Sequence, residues 1–460
     1  MSFSQGITNS VNKKTQSTDQ QLDKPQLKRA LTLFDMTMIA IGASIGSGIF
    51  LTPALIANAL PSPMWILAVW MAGGIMALCG ALTYAELGAM MPRAGGLYVF
   101  LSEAYGGLFG FLFGWAYFLV VNTGGLAALA VAFSTYFGYF IPLSPFGTTA
   151  VAISGITLVT ILNILGVKAG GVFSDVFTVL KLFGILVLIG AGFGLGSSST
   201  TDFAQPLMLP SDQVGSALAL AMVSVMWSYG GWQHATFTAS EAINPQRTVP
   251  RALIVGSIVI MIVYLLANVA YMYLLPVSSI ASSERVAADA MNVVLGGVGG
   301  SFIALTIFIS TFGTTGIYTL TAPRIYYAMA NDGVFFKRVA EVHPRYRTPA
   351  YSILFQSIWA VVLILFWGTY ESLISYVVFT DWIFFGLAAA TVFVFRKRMP
   401  NAERPYKTLW YPVPPLLFIG VALWFVGNTL VGKPMESWVG LGFLALGVPV
   451  YYFWKKRSSR

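Results

Sequence analysis

The sequence predicts an all-α polytopic membrane protein with twelve transmembrane helices, two of them broken near their middles. Three observations predict it. Of 460 residues, 57% are hydrophobic and 9% charged, and the mean hydropathy is +0.76, which leaves too little charge to cover a water-soluble surface. Apolar runs long enough to cross about 30 Å of hydrocarbon recur along the chain. Two of those runs hold glycine clusters at their centres, Gly42-Ala43-Ser44-Ile45-Gly46-Ser47-Gly48 and Ser228-Tyr229-Gly230-Gly231-Trp232.

Taken in order, residues 1–30 are polar and of mixed charge, without a signal-type apolar core, and read as a disordered cytoplasmic tail. Spans follow at residues 31–59, 64–91, 107–138, 148–166, 170–195, 213–240, 250–275, 293–329, 350–368, 371–395, 412–431 and 437–454, with a short tail at 455–460. The run at 293–329 is long enough to tilt or to extend beyond the bilayer. With the N-terminus in the cytoplasm, 23 of the 26 Lys and Arg residues fall in cytoplasmic segments. Arg285 and Lys433 fall outside and Lys181 lies within a span, so the bias puts both termini in the cytoplasm. The net charge of +9 is then a topology signal against anionic lipid, and no nucleic-acid partner is implied.

Cys79 is the only cysteine and lies inside the second span, so no intramolecular disulfide can form. No CxxC, HExxH or Walker-type loop is present, and two histidines, His234 and His343, are too few for a histidine-built metal site. Neither a cofactor, a metal nor a catalytic centre is expected. No nucleophile, base and orienting group recur at a useful spacing.

The glycine clusters are where binding chemistry is expected. In hydrocarbon every backbone N–H and C=O needs a partner, so a helix breaks at membrane depth only where the freed groups face protein, water or ligand. Unwinding around Ser44 to Gly48 creates a helix N-terminus, whose N–H groups and roughly half a unit of positive charge suit a carboxylate, with Ser47 as an added hydroxyl donor. The break at Trp227 to Gly231 exposes carbonyls that suit an ammonium group. Together they fit a zwitterion. Gly46 and Gly230 stand 184 residues apart, as matching places in a duplicated architecture would. The other use of such glycines is close helix packing of the small-xxx-small kind.

The motifs Gly46-Ser47-Gly48-Ile49-Phe50, Tyr84-Ala85-Glu86-Leu87-Gly88, Pro92-Arg93-Ala94-Gly95-Gly96 and Tyr229-Gly230-Gly231-Trp232 occur in that order. Glu241-Ala242-Ile243-Asn244-Pro245, Pro250-Arg251-Ala252, Pro323-Arg324, Asn331-Asp332-Gly333, His343-Pro344-Arg345 and Thr348-Pro349 follow. In this order and spacing the chain resembles the amino acid-polyamine-organocation superfamily, and within it the L-amino-acid transporters related to light subunits of heteromeric exchangers. The resemblance implies two inverted five-helix repeats, residues 31–195 and 213–395, followed by two helices at 412–454, working by alternating access. It implies that a substrate carboxylate meets the backbone of Gly46, Ser47 and Gly48. The amino group would meet carbonyls near Ser44 and Ile45 and around Trp227, Ser228, Tyr229 and Gly230. Trp227 stands where similar transporters place a bulky aromatic that closes over the substrate; ordinary packing is its other reading.

Lys181 is the one basic residue within a span, at a cost of about 2.5–3.5 kcal/mol for a lysine at the bilayer centre. In similar sodium-independent transporters a lysine in the matching helix takes the place of the sodium ion of coupled relatives, and Lys181 is expected to do so here. The alternative is snorkelling to a helix end. Glu86 and Glu241 lie near cytoplasmic ends, where Arg93, Arg247 or Arg251 are expected to pair with them in an inward-closed gate. Asp35 and Asp175 suit capping or pairing with a base, and His234 and Asp381 suit either hydrogen-bonded roles or proton carriage.

The sequence thus predicts a sodium-independent transporter of neutral L-amino acids, an antiporter in the plasma membrane of a bacterial-type cell. The nearest alternative is a proton-coupled amino-acid or polyamine importer, and a more distant one is an amino-acid sensor. The light subunits carry a cysteine after the third span, whereas Phe140-Ile141-Pro142-Leu143-Ser144-Pro145-Phe146 has none, so no disulfide-linked heavy subunit is expected. Gln233 stands where light subunits usually have asparagine.

Overall fold

The computed structural model describes residues 26–196, 201–367, 370–432 and 434–458. Most of the expected N-terminal tail (residues 1–25), Lys433 and residues 459–460 lie outside the described residues.

Helix α1 (Leu33–Ser44) starts at a capping box in which the Thr32 hydroxyl accepts from the Asp35 N–H while the Thr32 N–H donates to the Asp35 carboxylate at 2.6 Å. Asp35 therefore caps, one of its two expected uses. After Ser44 the chain leaves the helix for three residues and resumes as α2 (Gly48–Ala59), bent by 41°. Then come α3 (Pro63–Met90), α4 (Leu97–Tyr105), α5 (Gly107–Phe137), α6 (Pro145–Ile164) and α7 (Val167–Leu195). Within α5 one π turn, Tyr117–Val121, loosens the helix. The second half begins with α8 (Ser211–Tyr229), which stops at Gly230, and a single turn α9 (His234–Phe237). It continues through α10 (Pro245–Leu274), α11 (Val277–Ser282), α12 (Val286–Leu295), α13 (Gly297–Asn331), α14 (Ala350–Trp367), α15 (Tyr370–Arg398), α16 (Val413–Gly432) and α17 (Pro434–Ser458).

Among the described residues nine helices are long and apolar enough to cross a membrane, and the bent pair α1–α2 makes a tenth. The two other expected spans fall on α8 and α14. Polar Ser211-Asp212-Gln213 and the break at Gly230 shorten the apolar part of α8, and the apolar part of α14 ends at Phe366. The broken helices sit at the centre, with α1 packed on α7 and α10, and α2 on α8. Burial grades outward: 78% of the apolar core of α5 and α13 is covered, but only 22% of α16 and α17. The least buried pair, α16 and α17, is thus an outer layer over α15, α3 and α5.

One end of the bundle is tied by charge. The N–H groups of Ala30 and Leu31 donate to the Glu241 carbonyl at 2.8 and 3.0 Å, and the Ile243 N–H donates to the Leu31 carbonyl at 2.7 Å, forming a parallel bridge between Leu31 and Ala242. Beneath it Arg324 donates through Nε and Nη2 to both carboxylate oxygens of Glu241 at 2.6 and 2.9 Å, each side chain fully buried. Glu86 accepts from Arg396 at 2.9 and 2.7 Å and from the Thr408 N–H at 2.8 Å, with Arg404 at 3.4 Å. These partners correct the pairing expected from sequence proximity. Arg93 instead bonds exposed Glu103 of α4 at 2.5 Å.

Candidate functional site

The two breaks meet. Gly231 takes φ +119°, and a Cβ there would stand 2.5 Å from the Ala43 carbonyl carbon and oxygen and 2.6 Å from the Ser44 nitrogen. Only glycine allows this conformation and this approach together. A Cβ on Gly48 would lie 3.0 Å from the Ser228 Cα, so the start of α2 and the end of α8 touch through backbone. Around Gly46 the situation differs: the nearest atoms to an added Cβ are Leu129 Cδ2 at 3.7 Å and Thr314 Oγ1 at 3.9 Å, ordinary contact. Gly46 faces space.

That space is a cavity of about 780 Å³, counted to its mouth, between α1–α2, α5, α8–α9, α13 and α15. Ser44, Gly46, Ser47 and Gly48 line it from the first break, and Trp227, Ser228, Gly230 and Gly231 from the second. Ile45 and Tyr229 do not. The Ile45 side chain is fully buried, and the Tyr229 hydroxyl donates to the Trp70 carbonyl at 3.0 Å, so these two belong to the breaks through their backbone only. Trp227 is half-buried on the cavity wall.

Hydrogen bonds hold the breaks open. The first turn of α2 opens with N–H groups that no carbonyl of its own helix can reach, and the last turn of α8 ends with carbonyls in the converse position. The Tyr264 hydroxyl bridges the two, 3.0 Å from both the Ser44 and the Ser228 carbonyl oxygens. Thr52 and Ser228 join their hydroxyls at 2.9 Å. Ser310 donates to the carbonyls of Ile45 (3.1 Å) and Gly46 (2.9 Å).

Lys181 is fully buried and reaches the same place. Its Nζ donates to the carbonyls of Gly42 (3.0 Å), Ile45 (2.8 Å) and Ser310 (3.0 Å) and to Thr314 Oγ1 (2.8 Å). Four oxygens around one ammonium resemble the oxygen shell of a small cation, and two of them, the carbonyls of Gly42 and Ile45, belong to the break. The side chain does not snorkel to a helix end.

His234 also lines the cavity, stacked on Tyr318 at 4.4 Å. Its Nδ1 shares a 2.6 Å hydrogen bond with Thr321 Oγ1, which also lies 2.8 Å from the Ile317 carbonyl oxygen. Sequence reasoning missed Tyr117, Asn122, Ser310, Thr314, Tyr318, Trp382 and Phe385. The polar run Ser310-Thr311, Thr314-Thr315 in an otherwise apolar helix marks that stretch of α13 in the sequence without showing which hydroxyls reach the break, and Tyr117 stands in the π turn of α5. Among the described residues no group of His, Cys, Asp and Glu could hold a metal ion.

Known proteins resemble this chain over nearly its full length. It is 31% identical to the serine/threonine exchanger SteT of Bacillus subtilis over 437 residues, covering 94% of this chain and 98% of that one. It is 30% identical to the human cystine/glutamate transporter over 444 residues (95% and 87%), and 31% identical to the human large neutral amino acids transporter small subunit 2 over 457 residues (94% and 82%). A family model described as amino acid permease matches residues 31–447, the stretch that contains both breaks, Lys181 and the cavity, and the chain belongs to that family, in the amino acid-polyamine-organocation superfamily, as a multi-pass membrane transporter and not an enzyme.

Proposed function

We propose that the protein is a sodium-independent exchanger of neutral L-amino acids, binding the zwitterion between its two helix breaks. The observation that carries this is the Lys181 ammonium held by the carbonyls of Gly42 and Ile45: a fixed positive charge supports the unwound turn where a coupling ion would otherwise be needed. In this reading the N–H groups of Ser47 and Gly48 take the substrate carboxylate. Carbonyls near Ser44, Ile45 and Trp227 to Gly230 take its amino group, and Trp227 closes over it.

Antiport is supported by the likeness to a serine/threonine exchanger, and neutral substrates by the likeness to a large neutral amino acids transporter subunit. We further propose twelve spans, with α8 and α14 completing the count. They would form two inverted repeats over residues 31–195 and 213–395 with helices at 412–454 outside them, in a plasma membrane with both termini cytoplasmic and no disulfide-linked partner.

The test is uptake of radiolabelled L-serine and L-leucine into liposomes holding the purified protein, preloaded or empty, with sodium present or absent. Uptake confined to preloaded vesicles and indifferent to sodium is expected. Accumulation in empty vesicles under a proton gradient would replace exchange by proton coupling.

A further inference from the structure

Among the described residues, Asp381 is the only acidic side chain on the cavity wall, and no Lys or Arg lines it. Its Oδ1 is buried and has no hydrogen-bond partner among the described residues. A buried acceptor without a donor is rare in a native fold, and a carboxyl group at this depth is costly, so Oδ1 calls for a donor besides the Tyr117 hydroxyl that lies within reach of the carboxyl group. Lys181 and Arg396 are committed elsewhere. Lys181 is held by four oxygens. Arg396, fifteen residues further along α15 and about 22 Å away at 1.5 Å per residue, is held by Glu86. Around Asp381 the wall is aromatic: Trp382 and Phe385 on the same helix, Tyr117 from the π turn of α5 within hydrogen-bonding reach, and Trp227 from the break. Acid beside aromatic faces is the chemistry that recognises an ammonium or guanidinium group. The backbone carbonyls of the breaks already serve the amino group that every amino acid carries, so Asp381 is left for the side chain.

We infer that Asp381 is the side-chain subsite of the cavity, selecting L-amino acids whose side chains end in an ammonium or guanidinium group, in addition to the neutral ones. The inference rests on the cavity being the amino-acid site and widens the class of substrate it takes. Its recognition is a charge-assisted hydrogen bond to Oδ1, and no covalent step is involved.

The experiment is competition for counterflow of labelled L-serine in proteoliposomes. The competitors are L-lysine and L-norleucine, which has the same carbon chain without the ammonium. In the unaltered protein lysine is expected to inhibit at least about tenfold better than norleucine, and in Asp381→Asn that ratio falls to near one, while Asp381→Glu keeps part of it. Equal inhibition by lysine and norleucine in the unaltered protein overturns the inference without any variant, so poor folding of Asp381→Asn cannot shield it. A preference that survives in Asp381→Asn overturns it as well. So does a ratio unaltered in Asp381→Asn with loss only of uptake driven by a pH gradient, which makes Asp381 a proton carrier. No counterflow with any amino acid would instead sink the exchanger reading itself.

Discussion

Gly46 and Gly231 look alike in the sequence and are used differently. An alanine at 231 would have to take φ +119° with its Cβ 2.5 Å from main-chain atoms of the first break, neither of which can move without separating the two. Gly231→Ala is therefore expected to lower the yield of folded protein and its melting temperature, as seen by gel filtration and thermal unfolding. Gly46→Ala meets nothing closer than 3.7 Å, so it should fold normally and lose at least about tenfold in exchange rate, because the methyl group enters the cavity. Normal exchange by a well-folded Gly46→Ala would remove this turn from the binding site. Lys181→Met strips the donor from three carbonyls and a hydroxyl. With charged hydrogen bonds contributing about 1.5–3 kcal/mol each, the variant should melt at lower temperature and exchange at least about tenfold more slowly. Lys181 was legible because a lone base in an apolar run has to be explained. Ser310 and Thr314 were not, because hydroxyls in membrane helices commonly bond the carbonyl four residues back, as Thr314 also does to Ser310 at 2.9 Å, and nothing in the sequence separates those that reach further.

At the scale of elements, the helices themselves were readable and their partners were not. Apolar length gave α3, α5, α7, α10 and α13 within a few residues, since burial in lipid needs little more than composition. The ion pairs were misjudged because nearness in sequence was the only guide: Glu241 finds Arg324 83 residues on, and Glu86 finds Arg396 310 residues on, distances closed only when α13 and α15 pack. The Glu241–Arg324 pair is fully buried, and removing one partner strands the other charge. Arg324→Met should therefore destabilise the protein by about 3–5 kcal/mol, and adding Glu241→Gln should recover part of that loss in thermal unfolding. If the double variant is no more stable than Arg324→Met alone, the two side chains are not coupled and the pair is not what ties α13 to the α9–α10 connection.

For the whole molecule, the spacing of the two breaks pointed to one shared site, and the fold brings them into backbone contact at the centre while α16 and α17 stay at the periphery. Less visible was how the chain ties one end of the bundle, since the bridge between Leu31 and Ala242 joins a segment just before α1 to the turn after α9 and leaves no local pattern in either. In the proposed alternating-access cycle this bridge would open once per cycle. The bridge offers a direct test, because residues paired across neighbouring parallel strands lie about 4.8 Å apart, inside the range of about 4.4–6.8 Å that a disulfide spans. Cys79 is buried and is the only cysteine, so Cys79→Ala provides a background without thiols. Leu31→Cys with Ala242→Cys in that background should exchange amino acids under reducing conditions and lose at least about tenfold in rate once oxidised, with recovery on reduction. Each single cysteine should be indifferent to oxidant. Full exchange by protein shown by mass spectrometry to be cross-linked would mean that this end never opens, and substrate would then have to leave the cavity by a route that spares the bridge.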